Sequence, residues 1–122
     1  MTVDPVRELV ISLRKKLGNI PVVTDVPASR PKKLVSVELT GLSIPEPGLL
    51  YSVFAVQTWG STHSASASLG HQTRQALLEI GQEDGNLFTH VSLNSMYNWP
   101  DPDSRQARYQ LVVETICYDQ KQ

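Results

Sequence analysis

A chain of 122 residues is one domain's worth of protein, long enough to bury roughly two-thirds of the surface of its unfolded form. Its 40% apolar and 19% charged residues are ordinary for a soluble domain, and a net charge of −1 excludes the Lys/Arg excess by which proteins grip nucleic acid over long stretches, though not passing contact with DNA. The lone Cys117 leaves no intrachain disulfide and no thiol metal site, no apolar run approaches the ~18 residues of a membrane span, and Met1 to Pro5 lacks the pattern of a signal peptide.

Asp4-Pro5 predicts a helix start, an N-cap acceptor followed by proline where its missing N–H is harmless. Val6, Leu9, Val10, Leu13 and Leu17 then form one apolar stripe. Arg14 to Lys16 suit the negative end of the helix dipole, and Gly18 is a stop, so a helix is expected over 4–17. Pro21 to Thr24 is long enough only for a short edge strand, Pro27 to Lys33 reads as a loop, and Leu34 to Leu39 as a strand. Gly41, Pro45, Pro47 and Gly48 predict a projecting loop over 40–50.

Tyr51 to Thr58 is apolar on both of its alternating faces, which predicts a strand covered at least partly on each side. Trp59 to Thr62 breaks the period of two, and Ala65, Leu69, Ala76, Leu77 and Ile80 follow at helical spacing. Ser61 or Thr62 is the expected N-cap. Gly81 and Gly85 close that helix. Phe88 to Tyr97 and Arg108 to Tyr118 read as strands of a long hairpin, joined across the proline-stiffened turn Asn98 to Asp103. Asp119 to Gln122 is expected to form a short flexible tail. The predicted order is α-β-β-β-α-β-β. It makes a single α+β domain over 1–122, with two helices on one face of a mostly antiparallel sheet of four or five strands, in which 34–39 and 51–58 pair.

No motif in the chain carries chemistry. His63, His71 and His90 have no carboxylate at metal-ligand spacing and no His-Glu-x-x-His pattern. Ser61, Ser64, Ser66 and Ser68 lack a nucleophile elbow or a Ser-x-x-Lys, and Gly60, Gly70 and Gly81 form no phosphate loop. Asp101 and Asp103 read as turn residues rather than metal ligands. No catalytic residue, metal or cofactor is predicted. Two features suit a subunit of an assembly better than a free monomer. The 40–50 loop carries Leu42, Ile44, Leu49 and Leu50, and Trp59 and Trp99 stand at element boundaries, where large rings often anchor interfaces. The plainer alternative is that these side chains fold back over the core.

In layout the chain resembles the tail terminator (tail completion) proteins of long-tailed bacteriophages, particularly those of Actinobacteria. The matching pieces are the helix Asp4 to Leu17, the loop Val26-Pro27-Ala28-Ser29-Arg30-Pro31 leading into Leu34 to Leu39, and Val53 to Thr62 running into the helix Ser64 to Ile80. The turn Trp99-Pro100-Asp101-Pro102-Asp103, with Arg108-Tyr109 opening the last strand, completes it. The second helix departs from the pattern, being rich in Ser and Ala rather than in Ala, Glu and Arg.

The resemblance implies a structural virion protein at the tail–neck junction, assembled in the host cytoplasm. Its copies would form a ring, a hexamer by expectation, that caps the tail tube, ends its growth and meets the head–tail connector or stopper. The genome would pass through without being read, and no membrane would be involved. The 40–50 loop, Trp59, Thr62 and Trp99 would then make lateral or axial contacts, and Leu49 and Leu50 changed to polar residues would abolish the ring without unfolding the monomer. Arg30, Lys32 and Lys33 would line a polar rim or the channel, and the tail 119–122 would meet an adjacent ring. A stopper or head-completion protein of the neck is the alternative, ahead of a small ligand-binding or enzymatic domain.

Overall fold

The computed structural model describes residues 2–119. Helix α1 spans Pro5–Leu17, strand β1 Val22–Val23, β2 Leu34–Ser43, β3 Leu49–Gly60, helix α2 His63–Gln82, β4 Phe88–Asn98 and β5 Ala107–Tyr118. The order is the expected α-β-β-β-α-β-β. The strands form one five-stranded sheet in the order β1-β2-β3-β5-β4. Only β1–β2 is parallel; the other three pairings are antiparallel.

The caps form as the residue types dictate. Asp4 Oδ1 accepts from the Val6 and Arg7 amides at 3.0 and 3.4 Å, satisfying donors that the first helical turn leaves unpaired. Gly18 ends α1 in the left-handed region at φ 61°, where a Cβ would be strained. The Arg14 side chain donates Nε and Nη2 to the Val22 carbonyl at 3.1 and 2.9 Å, tying α1 to the edge strand. Thr62, not Ser61, caps α2, its hydroxyl accepting from the Ala65 amide at 3.0 Å. Lys16 joins the two helices through Glu79 and Glu83.

One correction concerns the 40–50 segment. Both strands extend into it, leaving only Ile44 to Gly48 as the turn. The ladder continues past a bulge between Leu39 and Gly41 to the pairs Leu42↔Ser52 and Ser43↔Tyr51. The Thr40 hydroxyl donates to the Val53 carbonyl at 3.0 Å, so the bulged residue keeps a tie across to its partner strand. Glycine at 41 and prolines at 45 and 47 suggested a loop from 40 on. Pairing in the ladder outweighed that local preference over 40–43.

Alternation then sorts the sheet. Val35 and Val37 of β2, Leu50, Phe54 and Val56 of β3, and Leu111, Val113 and Cys117 of β5 are buried with Leu9, Leu13 and Leu17 of α1 and Leu69, Leu77 and Ile80 of α2. Both helices therefore lie on one face, as expected. Cys117 is fully buried there, and burial, with help from Asp119 and Glu8, pushes its thiol up to about 11. The thiolate is the nucleophile, so a disulfide reagent at pH 8 is expected to label the native protein negligibly and the urea-unfolded protein fully. Rapid labelling of native protein would contradict this packing.

Candidate functional site

Among the described residues, no helix covers the other face of the sheet. That face carries Leu34, Ser36 and Glu38 of β2, the odd residues from Tyr51 to Trp59 of β3, the even residues from Arg108 to Tyr118 of β5, and His90, Ser92, Ser95 and Tyr97 of β4. These positions stand opposite one another in the ladders and share a face because side chains alternate along a strand. The prediction that β3 is partly covered on both sides holds in an uneven way. Its even face lies under the helices, while its odd face is shielded mostly by neighbouring side chains, from Trp59 at 3% exposure to Tyr51 at 37%.

Across the middle of this face runs a chain of polar side chains, one from each of four strands. Ser36, Gln57, Gln110 and Tyr97 are direct cross-strand partners. Ser36 Oγ donates to Gln57 Oε1 at 2.6 Å, Gln57 Nε2 donates to Gln110 Oε1 at 2.9 Å, and Gln110 Nε2 donates to the Tyr97 hydroxyl. Trp59 Nε1 joins the chain by donating to Ser36 Oγ at 3.0 Å. The near-buried amide of Gln57 is thus paired at both of its ends, which is what makes its burial tolerable.

On one side of that chain lies an aromatic and basic end. The guanidinium carbons of Arg30 and Arg108 each stand 4.8 Å from the centre of the Trp59 ring, within cation–π range. Arg108 Nε donates to the Trp99 carbonyl at 2.7 Å, and the Trp99 ring meets Tyr97 edge-on, with centroids 5.7 Å apart. Burial lowers the Arg108 pKa, and Arg30 lowers it further, partly offset by Asp101. Asp101 accepts from the Ser104 amide and hydroxyl, and those bonds hold its carboxyl below the ordinary range. It is the turn residue that the sequence suggested. Lys32 and Lys33 are exposed beside this end. Among the described residues, the ion pairs are those of Lys16 with Glu79 and Glu83, so neither arginine has a carboxylate within 4 Å.

On the other side of the polar chain lies a shallow groove of about 520 Å³, lined by residues including Gly41, Tyr51, Val53, Glu114 and Ile116. It opens to solvent beside the β2–β3 turn. Leu42 and Ile44 are exposed there, by 47% and 56%.

The candidate contact residues therefore divide. Leu42, Ile44, Thr62 and Trp99 are exposed. Leu49 is half-buried. Leu50 and Trp59 are each 3% exposed and cannot face a partner as drawn from the sequence. Leu50 belongs to the strand face under the helices, opposite Cys117, and Trp59 lies beneath Arg30 and Arg108. Arg30, Lys32 and Lys33 do cluster at one end, and Arg108 joins them, brought there by its pairing with Trp59. Of the tail 119–122, residues 120–122 lie outside the described residues; the Asp119 amide donates to the Gly48 carbonyl at 2.9 Å. His63, His71 and His90 are all exposed, His63 against the Tyr109 hydroxyl at 3.1 Å. Among the described residues no group of three or more His, Cys, Asp or Glu side chains is placed to hold a metal, and no helix is long and apolar enough to cross a membrane.

The fold itself has a counterpart of known structure. A chain described as "Virion of native gene transfer agent (GTA) particle" superimposes with a TM-score of 0.50, covering 87% of this chain and 84% of that one at 10% identity. The likeness is one of fold. No protein-family model matches the sequence, and no curated protein matches it.

Proposed function

We infer that this chain is a structural virion subunit, and specifically a tail terminator whose copies ring the end of a phage tail tube. The observation that carries this reading is the shared fold, over nearly the full length of both chains, with a chain from a gene transfer agent virion. The layout resemblance to tail terminators points to the same class of protein. The surface agrees with it: among the described residues one sheet face has no helix over it, and Leu42, Ile44, Tyr51, Trp99 and Tyr118 stand exposed, apolar area of the kind that assembly would bury. A ring seated on the tube tip occupies the surface to which the next tube subunit would add, so growth stops. Its outer face then meets the head connector. A channel that only conducts DNA needs no base-reading residues, which suits the near-neutral charge.

The test is negative-stain electron microscopy of lysates from a phage whose copy of this gene is disrupted. Tails of uncontrolled, excessive length beside filled heads without tails are the expected result. Tails of normal length that fail to join heads would overturn the terminator role and place the protein on the head side of the neck.

A further inference from the structure

We propose that copies of this protein associate head to tail, the β2–β3 turn of one copy seating against the Trp59–Trp99 end of the next. The proposal rests on the ring reading above and names the contact that would build the ring. Its basis is an asymmetry between the two ends of the sheet. At the end where Leu34, Trp59 and Arg108 stand side by side, Arg30, Lys32, Lys33, Arg105 and Arg108 outnumber Asp101 and Asp103. At the opposite end the β2–β3 turn, the α2–β4 loop and Asp119 come together through the bonds Asp119 N to Gly48 O and Tyr118 N to Leu87 O. These segments carry Glu46, Glu83, Asp84 and Asp119. Lys16 pairs with Glu83 and Lys15 of α1 lies beside the α2–β4 loop, which leaves Glu46 at the β2–β3 turn as the acidic group offered to a partner.

Each end also offers exposed apolar surface of matching kind. Ile44 and Leu42 flank Glu46 at the turn, and Trp99 flanks the arginines, at 56%, 47% and 48% exposure. An acidic tip with aliphatic flanks fits a basic pocket with an aromatic flank. Among the described residues neither guanidinium group has a carboxylate within 4 Å; the ion pairs are those of Lys16 with Glu79 and Glu83. An incoming carboxylate offers a pairing that the monomer does not supply. A molecule cannot satisfy itself in this way: the 12-residue β3 separates the two ends by roughly 35 Å at strand rise. Because the two surfaces are unlike, the contact is heterologous, and repeating it closes a ring or extends a fibre. Pro45 and Pro47 restrict the turn before binding and so reduce the ordering cost of docking it.

Charge exchange at exposed positions tests this without touching the core. Sedimentation velocity across a concentration series is expected to show wild-type oligomers larger than dimers. Glu46→Lys alone, and Lys32→Glu with Lys33→Glu, should each weaken association about tenfold or more, with circular dichroism unchanged. An equimolar mixture of the two variants should regain a measurable part of the lost association, because the changed turn of one then faces the changed loop of the other with opposite charge. Variants that assemble like the wild type, or a mixture that stays dissociated, would overturn this contact while leaving the ring reading standing. A wild type that remains monomeric throughout would also overturn it, and the tail-length phenotype would then decide the ring reading by itself.

Discussion

Leu50→Ser is expected to destabilise the fold by about 4 kcal/mol, combining the cavity left by a buried leucine with a hydroxyl placed among apolar neighbours. Leu50 is 3% exposed and belongs to the core cluster that includes Phe88 and Cys117. A loss of that size is a large fraction of the ~5–15 kcal/mol that holds a typical domain together. Urea denaturation should show the midpoint falling with the slope unchanged, the mark of lost stability in an otherwise similar transition. Ile44→Ser is the matched comparison. Ile44 is 56% exposed, so its replacement should leave stability within about 0.5 kcal/mol. Any assembly defect in the Ile44 variant would therefore report on contacts between copies, which the Leu50 variant cannot do. Equal stability of the two variants would contradict the placement of Leu50.

Gly60→Ala is expected to cost about 3 kcal/mol, at the upper end for overpacking, and to lower Tm by roughly 12 °C for a domain of this size. A Cβ at Gly60 would lie 2.5 Å from the Ser66 nitrogen and 2.9 Å from the Ala65 carbonyl carbon. Both are backbone atoms of the first turns of α2, so relief requires moving the helix away from β3. That would also strain the Thr58 hydroxyl's 3.0 Å bond to the Ser66 carbonyl. Gly60 has no positive φ, so the cost is one of space and not of backbone conformation. Gly70→Ala should be milder. Its Cβ would meet first the terminal methyl of Met96 at 2.6 Å, the far end of a flexible side chain that can turn aside. If Gly60→Ala were as mild as Gly70→Ala by thermal melting, the close approach of α2 to β3 would be wrong.

The sequence was a sufficient guide to the elements on either side of Gly60, but not to the contact at Gly60 itself. The helices, the cap at Asp4, a cap at Ser61 or Thr62, the order of elements along the chain and the α+β class all follow from local signals. Cap chemistry, period 3.6 and period 2 act within a few residues, so they survive in a linear reading. That a strand runs almost directly into α2 was equally legible, but β3 continues through Trp59 and Gly60, leaving only Ser61 and Thr62 as the joint. The tight contact at Gly60 that this junction demands was not legible, because it depends on the direction in which the helix leaves.

What only the tertiary structure decided is which residues meet. Gln57, Gln110 and Tyr97 are unremarkable polar residues in three separate strands, and nothing local says that they fall in one line with Ser36. That alignment depends on the register of three strand pairings and on three bulges, and a slip of one residue would send each side chain to the other face. The same dependence governs Leu50 and Trp59. As letters, both suit a projecting interface equally well. Pairing of β3 with β5 turns Leu50 inward against the helices and sets Arg108 beside Trp59, where Arg30 also lies over the ring. Composition and periodicity determined which elements form and in what order, since those are local balances of hydrogen bonding and apolar burial; how far β2 and β3 extend, the aromatic and basic end, the groove and the division of exposed from buried candidates arose from long-range pairing, which no window of sequence contains.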